Sequence, residues 1–107
     1  MAFYELRQYS ILPGKMDDWV NFMETTIIPF QVQQGMVITA SFRAEEDDSV
    51  YIWMRRFESE DDRKRLYQAV YESDTWRNDI GPQIPEMMDV TNIQVTRLAP
   101  TPRSTTQ

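Results

Sequence analysis

The stretch Phe3-Tyr4-Glu5-Leu6-Arg7-Gln8-Tyr9-Ser10-Ile11, closed by Pro13-Gly14, carries aromatic and β-branched residues in alternation and ends on a turn pair. That pattern predicts a β-strand. Side chains two positions apart share a face of a strand, so Phe3, Glu5, Arg7 and Tyr9 point one way and Tyr4, Leu6, Gln8 and Ser10 the other. Large rings on both faces predict a central strand covered on both sides. Glu5 and Arg7 lie side by side between two rings. They read as an ion pair bridging the sheet or a dimer seam, or as the polar end of a pocket.

Working outward, Met16, Trp19, Val20, Met23, Ile27 and Phe30 recur at helical spacing and form an apolar stripe suited to core packing. Asp17 and Asp18 fall in the first turn, where the helix dipole favours acids. Pro29 has no N–H to offer Thr25 and its ring crowds that carbonyl, so the helix should kink near residues 25–28. Such a kink either bends around the core or leaves room for a ligand. Gly35 is the expected stop. Met36 to Arg43 reads as a second strand, with Met36, Ile38, Ala40 and Phe42 on one face. Ala44 to Asp48 reads as a solvated acidic hairpin tip, because the spacing and glycine of a calcium loop are missing. Ser49 to Phe57 reads as a third strand, with Tyr51, Trp53, Arg55 and Phe57 sharing a face.

Ser59-Glu60-Asp61-Asp62 has the form of a helix start, with Ser59 as N-cap. The helix that follows buries Leu66, Tyr67, Val70 and Tyr71. Asp74-Thr75-Trp76-Arg77 resembles a second cap opening a short turn, and Gly81-Pro82 and Pro85 then interrupt regular structure. Met88 to Leu98 is the last strand. Residues 1–99 form a single domain, and the Pro/Ser/Thr-rich residues 100–107 are expected to be an arm or disordered.

The order strand, helix, strand, strand, helix, strand is the ferredoxin-like βαββαβ arrangement: an α+β fold with one four-stranded antiparallel sheet and both helices on one face. Two helices cover one side only. Phe3, Tyr9, Trp53 and Tyr51 or Ile52 are expected on the other side, and each would forfeit about 1.5–3 kcal/mol if left wet. Such a patch marks an interface, so two copies are expected to pack sheet on sheet as a symmetric homodimer.

Composition narrows the chemistry. A chain of 107 residues supports one modest core. It has no Cys and no His, which removes thiolate nucleophiles, the usual base near neutral pH, and the commonest metal and haem ligands. No cofactor and no metal are expected. A net charge of −6 disfavours nucleic acid. No apolar run approaches the length of a membrane span, and the start lacks a basic segment followed by an apolar one, so a cytoplasmic location is expected.

Tyr4-Glu5-Leu6-Arg7-x-Tyr9, Pro13-Gly14-Lys15 and Trp19 resemble the opening of NIPSNAP domains. Pro29, Gly35, the Trp53 strand, Arg63 with Leu66-Tyr67, Asp74-x-Trp76 and Pro100-Thr101-Pro102 extend that resemblance over nearly the whole chain. It implies a dimeric α/β barrel built from ferredoxin-like protomers. The family's own role is poorly defined. Neighbouring barrel families include cofactor-free monooxygenases, isomerases, dehydratases and haem proteins, and their histidine-dependent chemistry does not carry over to a chain without histidine.

Two functional readings follow. In the first, the protein binds or transforms a small aromatic or polyketide-like molecule. Arg7 and Tyr9 would orient it, Trp53 and Trp76 would stack on it, Tyr67 or Tyr71 would donate hydrogen bonds, and Arg55 would add a second guanidinium suited to an anionic or enolic group. In the second, it is a noncatalytic homodimeric interaction module whose rings only fill the core and the interface.

Overall fold

The computed structural model describes residues 2–107. Its elements are β1 (Phe3–Ile11), α1 (Met16–Phe22), a π-helical turn (Met23–Ile27), α2 (Ile28–Gln33), β2 (Val37–Arg43), β3 (Val50–Phe57), α3 (Glu60–Tyr71), a second π-helical turn (Thr75–Ile80), a 3-10 segment (Gly81–Glu86) and β4 (Met88–Leu98). The strands form one sheet in the order β2-β3-β1-β4, with every pairing antiparallel. This is the ferredoxin-like α+β fold, and β1 is central in it.

The register assigns the faces. Glu5 lies opposite Arg55, Arg7 opposite Trp53 and Tyr9 opposite Tyr51, so these side chains share one side. Tyr9, Tyr51 and Trp53 pack with Trp19, Met23 and Ile27 in one core cluster, while Phe57 packs with Leu66 and Val70 of α3 in a second, against which Phe3 lies. The rings are therefore under the helices and not on the uncovered face expected for them. The uncovered face is made instead by the alternate positions: Leu6 and Gln8 of β1, Ile52 and Met54 of β3, and Phe42 of β2, which is 64% exposed. A bulge between Ile38 and Ala40 reverses the alternation in β2. Ile38 thus joins the helix-side core, whereas Ala40 and Phe42 face outward, and the single-face reading of that strand fails.

Local signals behave as their chemistry dictates. Ahead of Pro29 the helix widens: the Ile28 N–H donates to the Met23 carbonyl five residues back, which redistributes the bonding a proline disrupts. Gly35 adopts φ +110° and the Met36 N–H reaches the Gln31 carbonyl at 2.9 Å, a helix end that favours glycine. Ser59 caps α3 by accepting from the Asp62 N–H at 3.1 Å, and Asp62 accepts from the Glu58 N–H at 3.0 Å. The turn at residues 75–80 is capped by Ser73, whose hydroxyl accepts from the Trp76 N–H at 3.1 Å; Asp74 makes no such bond. The tail folds back as an arm, where the Gln107 carbonyl accepts from the Tyr4 hydroxyl at 2.7 Å and from Arg56 Nε at 2.8 Å. Tyr4 is buried beneath it.

Candidate functional site

Two neighbouring features occupy the space between sheet and helices. The first is a buried charge cluster. Glu5 Oε1 accepts from Arg55 Nη2 at 3.1 Å and from the Tyr67 hydroxyl at 2.6 Å, while Oε2 accepts from Arg63 Nε at 2.9 Å. Arg55 Nη1 donates to Gln31 Oε1 at 2.9 Å and to the Tyr71 hydroxyl at 2.7 Å, and its guanidinium lies 4.8 Å from the Trp53 ring centre. Burial pushes the Glu5 carboxyl upward, but the Tyr67 hydroxyl and the two guanidinium groups outweigh it and hold the group below its ordinary value of 4.5. Glu5 is therefore ionised at neutral pH.

The partner of Glu5 is Arg55, fifty residues away, and not its strand neighbour Arg7. Arg7 instead lines the cavity, and its Nε donates to the Tyr9 hydroxyl at 2.9 Å while its Nη1 reaches the Tyr67 hydroxyl at 3.5 Å. The expected Glu5–Arg7 pair is not formed, and neither residue belongs to the outer face where a dimer seam would lie.

The second feature is a cavity of about 240 Å³. It is smaller than the range of roughly 300–1,000 Å³ typical for drug-sized ligands. Five of the residues singled out from the sequence line it: Arg7 and Tyr9 at its polar end, with Trp53, Tyr71 and Trp76. Arg55 and Tyr67 do not. They stand behind it in the charge cluster, hold Tyr71 and Arg7 in place, and leave Arg55 fully buried. Burial pushes the Tyr9 hydroxyl upward against the opposing Arg7 charge and pushes Tyr67 up to about 12, so both are neutral donors.

Sequence reasoning assigned Trp19, Met23 and Ile27 to the core alone, yet they also form a wall of the cavity. The opposite wall comes from Gly81, Ile84 and Pro85, a segment read only as an interruption, and Met88, Val90 and Ile93 of β4 complete it. Both π-helical turns contribute, through Met23 and Ile27 and through Trp76. The proline just after the first, Pro29, and the Gly81-Pro82 pair just after the second were the available signals. Gly81 is required by proximity: a Cβ there would stand 2.9 Å from the Trp76 carbonyl oxygen.

Sheet order, helix placement and a pocket between them define a ferredoxin-like α+β protein. The family comparison agrees, since the NIPSNAP model matches residues 4–105. The chain belongs to the NIPSNAP family. Among solved structures it is similar to a NIPSNAP family protein from Agrobacterium tumefaciens, at 22% identity and TM-score 0.87 over 100% of both chains. It is also similar to an uncharacterized NIPSNAP-like domain protein from Burkholderia xenovorans, at 17% identity and TM-score 0.85 over 96% of this chain and 88% of that one. An antibiotic biosynthesis monooxygenase shares the fold at 14% identity and TM-score 0.67, with 94% and 99% of the chains covered. No curated protein matches the sequence. Among the described residues no helix is long and apolar enough to cross a membrane.

Proposed function

We propose that this NIPSNAP protein binds a small, largely apolar molecule in the cavity between the sheet and the helices, needs no cofactor to do so, and works as a homodimer paired through the outer sheet face. One observation carries the binding reading: Arg7, Tyr9 and Tyr71 line a space otherwise walled by indoles and aliphatic side chains, and the Arg7 guanidinium meets the Tyr9 hydroxyl at 2.9 Å. That is the composition of a small-molecule site. The shared fold of an antibiotic biosynthesis monooxygenase is consistent with an aromatic or polyketide-like ligand.

The test is a thermal-shift panel of aromatic acids, quinones and phenols. A ligand bound only by the folded protein at a hundredfold excess over Kd stabilises it by about 2.7 kcal/mol. Val90→Trp should abolish the shift while preserving the fold, because Val90 lines the cavity and is 47% exposed. A flat panel would favour the noncatalytic homodimeric module.

The dimer reading is supported by the outer face, where Val37 and Phe42 are exposed beside Leu6, Ile52 and Met54. An apolar surface of this kind marks an interface. Phe42→Asp is expected to shift the protein from dimer to monomer in sedimentation at micromolar concentration. A wild-type monomer at high concentration would remove this part of the reading and leave the cavity untouched.

A further inference from the structure

The hydrogen bonds behind the cavity leave donors on its lining without acceptors among the described residues. Ionised Glu5 only accepts, and the Tyr67 hydroxyl donates its hydrogen bond to it. Arg55 only donates, so the Tyr71 oxygen accepts from it, and a longer 3.4 Å contact from Gln31 Nε2 falls on the same oxygen. The Tyr71 proton is left without an acceptor among the described residues. The same holds at Tyr9, whose oxygen accepts from Arg7 Nε. The indole N–H groups of Trp19 and Trp53 are also buried without a partner among the described residues. All four of these donors belong to side chains that line the cavity, and among the described residues no side-chain carboxylate, amide or aliphatic hydroxyl lines it.

Charge points the same way. Arg55 and Arg63 reach Glu5, and Arg63 also reaches Glu60. Arg7 has no carboxylate within ion-pairing distance among the described residues and is only partly open to water. A partly buried cation with no counter-ion is costly unless something anionic joins it.

Resting on the cavity-binding reading above, we propose that the polar end of the cavity is an anion hole for a small aromatic or conjugated molecule bearing an ionised oxygen, either a carboxylate or a phenolate or enolate. Arg7 supplies the counter-charge. The Tyr9 and Tyr71 hydroxyls donate to the bound oxygens, and Trp53 and Trp76 flank the apolar body.

The experiment is calorimetric titration with four probes: trans-cinnamate, its uncharged isostere cinnamamide, 2,4-dinitrophenolate and toluene. The expected result is that cinnamate, dinitrophenolate or both bind about tenfold or more tightly than cinnamamide, the scale of a charge-assisted hydrogen bond. Which anion wins tells carboxylate from phenolate. Arg7→Gln should erase the preference over cinnamamide. Should that variant fail to fold, Tyr71→Phe serves, lowering anion affinity several-fold and leaving cinnamamide unchanged. Cinnamamide or toluene binding as tightly as the tighter of the two anions would overturn the anion hole while the cavity reading stands. A preference that survives Arg7→Gln would also overturn it. Failure of all four probes would remove both readings.

Discussion

Glu5→Gln is expected to destabilise the fold by about 3–5 kcal/mol, the cost of breaking a buried ion pair from one side. Glu5 is 1% exposed and Arg55 0%. Glutamine keeps the volume and one acceptor oxygen but removes the only carboxylate that Arg55 reaches among the described residues. The guanidinium cannot lose its proton instead, so the uncompensated charge stays in the interior. For a domain near 100 residues, 3 kcal/mol corresponds to roughly 12–24 °C in Tm. Urea titration checks it, as a lower midpoint at unchanged slope. Arg63→Gln is the control. Its side chain is 27% exposed and Arg55 still neutralises Glu5, so its cost should be well below that of Glu5→Gln.

The same carboxylate sets the acid limb of stability. Its pKa in the folded protein lies below the ordinary 4.5, so its contribution is fully present above about 4.5 and is lost as pH falls through the folded value. Glu60, Asp62, Asp47 and Asp89 are also held low, but all are at the surface and screened. Wild type should therefore lose stability steeply in acid and Glu5→Gln only shallowly. Equal slopes would show that Glu5 does not carry the limb.

This cluster also marks where sequence reasoning stops. Local chemistry was legible: the alternation that makes β1, the Trp19 stripe, the proline ahead of which the helix widens, the serine cap of α3, and Gly35 as a left-handed stop. The element order then implied the sheet, and β1 is central as its two-faced pattern requires. Which face the helices cover was not legible, because both faces of β1 carry rings and only the docking of α1 and α3 decides between them. Nor was the partner of Glu5. Adjacency along the strand favoured Arg7, whereas the pairing of β1 with β3 places Arg55 directly opposite, and register is a property of two strands together. The bulge in β2 reversed a face for the same reason. Five of the seven proposed site residues meet at one cavity because ring and guanidinium chemistry were sound guides to them. The wall from Gly81, Ile84 and Pro85 comes from a proline-interrupted segment whose path no periodicity encodes.

Trp53 separates the architecture of the site from its chemistry. Trp53→Ala is expected to cost about 3–5 kcal/mol, as for other large-to-small changes in a packed core, because the ring is 1% exposed, lies under the Arg55 guanidinium and meets Tyr9 edge to face at 6.2 Å. Trp53→Phe should cost less than about 1.5 kcal/mol. Part of the lost packing is offset, since the buried indole N–H has no partner among the described residues and an unmade hydrogen bond carries its own penalty. Denaturation of the two variants gives that contrast directly. Titration of Trp53→Phe with cinnamate then asks whether the spare N–H serves a ligand. If it donates to the bound anion, affinity falls severalfold in a protein that is nearly as stable as wild type. If affinity and stability both hold, the indole is a wall of the cavity, and the donors that matter are Arg7, Tyr9 and Tyr71.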